Sequence, residues 1–281
     1  GYYLSGEDRD GITKGMLPDP ALPLERLRGL PLGATTWRGY SSNIEALTRA
    51  APAAGFFNSI TDEDGVVRSL PLLAEYQGQY YESLALAMFR TAIGLPEIHP
   101  GFVNPTPVGT HDLLQSIVLR QDGRTLALPV DQQLATLIPY RGPGDAKGGS
   151  FRYISASDVL DGVLPPGQLK DQLVLVGSTA PGLLDLRVTP VGRTYPGVET
   201  HANVLSAFLD GKSIVRPDYA AGFDVLQLLC AGLLLAVALP LLSASSAVLL
   251  SAGVVSALVG LNLWMYIAQG LALPLATAVV M

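Results

Sequence analysis

The sequence predicts an α/β fold, with a mixed α+β arrangement also open, followed by membrane-crossing α-helices. Three observations lead there. Strand-like and helix-like patterns alternate as far as Pro217. Leu173-Val174-Leu175-Val176-Gly177 is an unbroken run of β-branched residues and leucine, of the kind buried in a sheet covered on both faces. Val225 to Met281 contains no Asp, Glu, Lys, Arg or His. At about 1.5 Å per helical residue, this tail crosses a hydrocarbon core of about 30 Å two to three times.

From Gly1 to Ala54 the chain is rich in Pro and Gly and reads mostly as loop, with a helical patch at Asn43 to Ala51. Gly55 to Ile60 and Val66 to Leu72 flank Asp62-Glu63-Asp64-Gly65, a hairpin signal, because Gly supplies positive φ at a turn without steric cost. Glu82 to Ile93 has helical spacing and stops at Gly94 and Pro96. His99 to Thr110 reads as loop. Ser116 to Arg120 and Arg124 to Leu128 flank Gln121-Asp122-Gly123 as a second hairpin, to which Leu134 to Tyr140 adds a third strand. A short helix capped by Ser155 or Ser157 reaches Leu160, then comes the Leu173 strand, then a helix from about Gly197 to Leu209 that ends at Gly211. In the tail, Phe223 to Leu242 and Ala247 to Ala268 are two spans joined by a polar turn at Ser243 to Ser246, and residues 271–281 begin a third span.

Composition narrows the function. The formal charge of -6 lies wholly at or before Asp224, and no Lys or Arg stripe offers a nucleic-acid surface, so nucleic acid is excluded as a partner and the lipid bilayer is implied. Cys230 is the only cysteine and lies in the first span, so a disulfide framework in the front domain is excluded. The chain opens at Gly1 without a signal peptide or anchor and stops inside an apolar run, so it reads as a piece of a longer protein.

An ordered series of words then becomes recognisable: Leu173 to Ala180, Gly182-Leu183-Leu184-Asp185, Thr189-Pro190, and Pro196-Gly197-Val198-Glu199-Thr200-His201-Ala202-Asn203-Val204-Leu205. Upstream stand Gly55-Phe56-Phe57-Asn58, Asp62 to Arg68 with Pro71-Leu72, Ser83 to Ala87, Tyr140-Arg141-Gly142-Pro143 and Ser155 to Gly162. The series resembles the second type of CHASE sensory domain, named for cyclases and histidine kinases with an associated extracellular sensor. The resemblance covers about Gly55 to Pro217. It departs in Gly1 to Ala54, where the acidic pair and Trp-Pro segment with which the family opens have no counterpart, so residues 1–54 are expected to be a partial N-terminal region ahead of a sensory domain at 55–217. The resemblance implies an extracytoplasmic, periplasmic sensor in the plasma membrane, responding to a small molecule or a mechanical stimulus. Its relay would pass through three membrane helices to a cytoplasmic cyclase, kinase or cyclic-di-nucleotide output domain. Signalling by helix rotation or sliding between two chains implies a homodimer.

No residue completes a catalytic constellation, and no cofactor is implied. Ser178 follows a strand, but neither a phosphate loop nor a nucleophile elbow is complete around it. Asp62 to Gly65 lacks the Glu that a calcium loop needs at its twelfth position. His201 shares a helical face with Val198, Leu205 and Phe208, so its imidazole points inward; a satisfied structural histidine is the plainer reading, and ligand or proton sensing the other. With His99 and His111 in loop-like sequence, no zinc site is expected. Asp185, Arg187, Glu199 and Asn203 form either a buried salt bridge between loop and helix or a polar pocket at a strand end. Asp185, Thr189, Glu199, His201 and Asn203 are therefore the candidate ligand-binding residues. A membrane-anchored α/β enzyme and a transport or assembly subunit are the competing classes. The first lacks a base beside a nucleophile, and the second lacks ionisable residues in the spans.

Overall fold

A computed structural model describes residues 1–6, 13–22, 33–102, 114–144, 149–178, 185–217 and 219–274. His111, Thr179-Ala180, Gly182 to Leu184 and most of the expected third span lie outside the described residues. The chain divides into two units, Gly1–Ser213 and Ile214–Met281.

The first unit contains, in chain order, β1 (Tyr3–Ser5), β2 (Thr13–Lys14), β3 (Thr36–Trp37), β4 (Gly39–Ser41), α1 (Glu45–Ala50), β5 (Ser69–Pro71), β6 (Leu73–Tyr76) and β7 (Gln79–Glu82). It continues with α2 (Leu84–Ala92), β8 (Glu97–Phe102), β9 (Leu114–Gln121), β10 (Arg124–Pro129), β11 (Ala135–Leu137), α3 (Ala156–Leu160), β12 (Leu186–Thr189), β13 (Gly192–Pro196) and α4 (Gly197–Leu209). The strands form several small sheets, ordered β1-β4-β2, β3-β6-β7, β10-β9-β8, β11-β5 and β12-β13. Of the two arrangements open to the sequence, this is the mixed α+β one.

The β9–β10 hairpin forms where it was expected, with Asp122 and Gly123 both at positive φ, as a two-residue turn matched to strand twist requires. Its third strand differs. β8 takes that place, although Pro100 and Gly101 read as loop, because an edge strand tolerates a proline. The Leu134 to Tyr140 segment contributes β11, which pairs with β5 instead. The Asp62–Gly65 turn is present, yet its arms meet only in an Ile60–Ser69 bridge. Phe56 is drawn away to bridge Tyr2 and Ser83, and the Val67 N–H donates to Val188 O. Four short strands replace the loop expected before Ala54. There β1 is clamped by Asn58, whose amide accepts from Leu4 N–H (2.8 Å) and donates to Leu4 O (2.7 Å). The largest departure is at Leu173 to Gly177, which forms no strand and leaves Val176 87% exposed.

The main core packs α2 and α4 across the small sheets: Leu86 and Phe89 of α2 meet Val204, Leu205 and Phe208 of α4, with Ile117 and Leu119 of β9 and Leu70 of β5. Phe89 and Phe208 sit 5.4 Å apart, ring centre to ring centre.

The second unit contains α5 (Ala220–Ala238), a 3₁₀ turn (Leu239–Leu241) and α6 (Ala244–Gln269). Both helical segments, Ala220–Leu241 and Ala244–Gln269, are long and apolar enough to cross a membrane. Ser243 caps α6 and Ser246 lies in its first turn, so only Leu242 and Ser243 separate the helical segments. Gly270 ends α6 in the left-handed conformation.

Candidate functional site

The β12–β13 hairpin leads straight into α4, and the candidate site is built where they meet. Register places Leu186 opposite Pro196, so Asp185 lies beside the first residue of α4. The Gly197 N–H donates to Asp185 O (2.8 Å), and the Asp185 carboxylate accepts from the Val198 N–H. Pro196 at the N-cap has no side chain able to cap, so Asp185 supplies the anion that a helix N-terminus favours. Only glycine fits at 197, since a Cβ there would lie 2.1 Å from Asp185 Oδ1. Burial raises the Asp185 pKa, against the Arg187 guanidinium 3.8 Å away.

The first two turns of α4 are polar and buried. Asn203 uses its whole amide: Nδ2 donates to Glu199 O and to the Tyr195 hydroxyl, both at 2.7 Å, while Oδ1 accepts from Arg141 N–H at 3.0 Å. Tyr153 donates to the Glu199 carboxylate. Tyr195, fully buried, packs edge-on against Tyr140 at 5.1 Å, and the Tyr140 hydroxyl donates to Val67 O. Burial is the main reason both phenols sit well above their usual pKa. Arg141 also pairs with Asp210, the residue that closes α4.

His201 is 2% exposed, and its Nε2–H donates to Phe57 O at 3.2 Å. That bond makes Nδ1 the bare acceptor, and Nδ1 has no partner among the described residues. Burial depresses the pKa to about 4, with Arg187 adding to the effect, so the ring is neutral at physiological pH.

Four of the five candidate residues thus share the start of α4. Thr189 does not: its hydroxyl donates to Gly192 O at the opposite end of the hairpin. The single salt bridge considered for Asp185, Arg187, Glu199 and Asn203 is replaced by an Asp185–Arg187 pair and a separate tyrosine and asparagine network. Tyr195, Tyr153, Tyr140 and the Phe57 carbonyl were not singled out from the sequence. Tyr140 and Phe57 stand in the recognised words, but nothing local marks which helix they serve. At the acidic turn, Arg68 donates to Asp62 and Asp64 and holds Asp64 down to about 2, so both carboxylates are already paired in place. Among the described residues no three His, Cys, Asp or Glu side chains converge to hold a metal ion. A shallow apolar groove of about 230 Å³ between Pro52 to Gly55, Leu173 and the Leu84–Thr91 face of α2 contains none of the candidate residues.

The family profile of the CHASE2 domain matches residues 17–241. The chain belongs to the CHASE2 domain family. No curated protein and no solved structure matches it. The matched stretch starts well before Gly55, where the resemblance was expected to begin, and takes in β3, β4, the whole α4 network and the first membrane-length helix. CHASE2 domains are sensory, non-catalytic parts of signalling receptors, so this chain is a sensor and not an enzyme.

Proposed function

We propose that this CHASE2 chain is the extracytoplasmic input module of a membrane receptor, with its stimulus received at the start of α4 and relayed through the membrane helices. The observation that carries this reading is the buried polar half of α4, with the unpartnered Nδ1 of His201, only ten residues in sequence (Asp210 to Tyr219) before α5. Buried polar atoms left unpaired are costly, and such a site gains from a ligand that completes it. A small polar molecule offering a donor to His201, with Asp185, Glu199 and Asn203 around it, fits that chemistry. Thr189 stands apart and would act on the hairpin only. The output is a cytoplasmic cyclase, kinase or cyclic-di-nucleotide enzyme, and the receptor works as two copies, whose helices shift between bound and free dispositions.

The test uses the full-length receptor. His201→Asn and Tyr195→Phe should shift the stimulus threshold of the cytoplasmic output while the protein still reaches the membrane. Output that responds normally in both variants would remove α4 from the sensing role. A reading frame that ends soon after Met281 without a soluble domain would remove the receptor.

A further inference from the structure

We propose that Val215 ties the link leaving α4 to the segment leaving α6, so that a stimulus received at α4 reaches the residues after α6 across a two-bond bridge and not only by way of α5. This tie rests on the receptor reading above and gives its relay a route.

The link is short. Past the end of α4 the Gly211 N–H donates to Phe208 O (3.2 Å) and the Lys212 N–H to Ala207 O (2.8 Å), so Lys212 still belongs to the turn that closes α4. The Val215 N–H then donates to Gly270 O (2.8 Å), and the Val215 carbonyl accepts from the Ala272 N–H (2.9 Å), which makes a parallel bridge between Val215 and Leu271. Only Ser213 and Ile214 lie in sequence between these two sets of bonds. Two residues add at most about 7 Å of reach, so a displacement at the end of α4 is passed on to Val215 with little slack to absorb it.

Gly270 makes the bridge possible. It sits at φ 66°, a conformation that glycine adopts without the cost a Cβ brings, and it turns the chain so that Leu271 runs in the same sense as Val215. That is the sense in which the chain continues into α5, and the direction that a third span begun at residue 271 would need. The turn is itself held by α6, since the Gly270 N–H donates to Tyr266 O (3.2 Å) and the Leu271 N–H to Met265 O (3.1 Å). Backbone groups at a helix end need partners, and beside an apolar span water serves them poorly, so Val215 supplies what the exit from α6 leaves open. One hydrogen-bonded network thus joins Val215 to the end of α6 and to Leu271 and Ala272. Four residues lie between Val215 and the start of α5 at Ala220, so the path across the bridge is the shorter one.

The experiment uses the full-length receptor in membranes and has two arms. In the first, Val215→Cys with Leu271→Cys, made in a Cys230→Ser background, should form a disulfide under mild oxidation, because paired residues in a bridge stand within disulfide reach. It is read as loss of maleimide labelling in a band of monomer size, restored by dithiothreitol. Val215→Cys with Leu242→Cys, at the far end of the hairpin, should keep its labelling. Failure of the first pair to cross-link would overturn the bridge. In the second arm the input is supplied by His201→Asn and Tyr195→Phe, each read as the change it makes in basal output of the cytoplasmic domain. That change should be lost when Val215→Pro or Ala272→Pro removes one N–H of the bridge, and kept in Val215→Ala and in the oxidised 215–271 cysteine pair. A change that persists in full in both proline variants would overturn the tie while leaving the receptor standing. Sensor variants that alter output in no background would overturn the receptor reading and the tie with it.

Discussion

Helix α4 and the α5–α6 hairpin solve opposite problems with the same backbone. The first half of α4 buries Glu199, Thr200, His201 and Asn203, and its second half buries Val204, Leu205 and Phe208, so this helix is enclosed on both counts. The hairpin leaves Leu226, Leu229, Leu233 and Val237 more than half exposed along α5 and shelters little beyond two amides. In water, apolar area of that kind costs about 25 cal/mol per Å², whereas lipid removes the cost. Polarity inside is common to both regions. What differs is the solvent outside, and it decides which residues each helix can display.

Substituting arginine for an exposed leucine should separate the two regions most strongly. Leu233→Arg, near mid-span, is expected to cost about 3 kcal/mol of membrane insertion, read as the integrated fraction after carbonate extraction. Leu160→Arg in the first unit, at 86% exposure, should change stability by less than about 0.5 kcal/mol. Equal effects would break the contrast.

A pH titration sharpens the α4 side. His201 takes up a proton near pH 6.5 when unfolded and only near pH 4 when folded, so the unfolded chain binds more protons between those values. Stability is therefore fully present above about pH 6.5 and declines as pH falls towards 4, by up to about 3 kcal/mol on a scale of about 1.4 kcal/mol per unit. His201→Asn should flatten the denaturation midpoint over that window. A slope that persists in the variant would assign the titration elsewhere.

Asn203→Ala should cost about 2 kcal/mol, because it leaves the Tyr195 hydroxyl, the Glu199 carbonyl and the Arg141 N–H to find new partners. Thermal melting of the first unit is the measurement, and a change below about 0.5 kcal/mol would mean that water already serves these groups. The smallest effect is expected at Val176→Asp. At 87% exposure this change should alter stability by less than about 0.5 kcal/mol, and a large loss would return Leu173 to Gly177 to the core that its composition suggests.

The sequence by itself determined the features that repeat locally. The charge-free tail, the span of α4 from Gly197, the helix at α2 and the Asp122-Gly123 hairpin follow from periodicity, glycine and composition, which act within a few residues. The ordered words were enough to reach the CHASE2 family. Tertiary structure decided the rest. The β6–β7 hairpin turns on Gln77 and Gly78, both at positive φ, and Gln carries little turn signal for a reader of sequence. The Leu173 run reads as a core strand, yet burial needs a partner sheet that composition cannot supply. Glu199, His201 and Asn203 were legible as candidates because they stand in one word, and Asp185 because it ends an earlier word of the same series, but their partners lie up to 144 residues away, at Phe57 in the case of His201. Thr189 stood in the same series, and its hydroxyl donates to Gly192 O within its own hairpin. Proximity along the chain names the residues, and only folding decides which groups meet, because a hydrogen bond is set by distances of about 3 Å that sequence spacing does not encode.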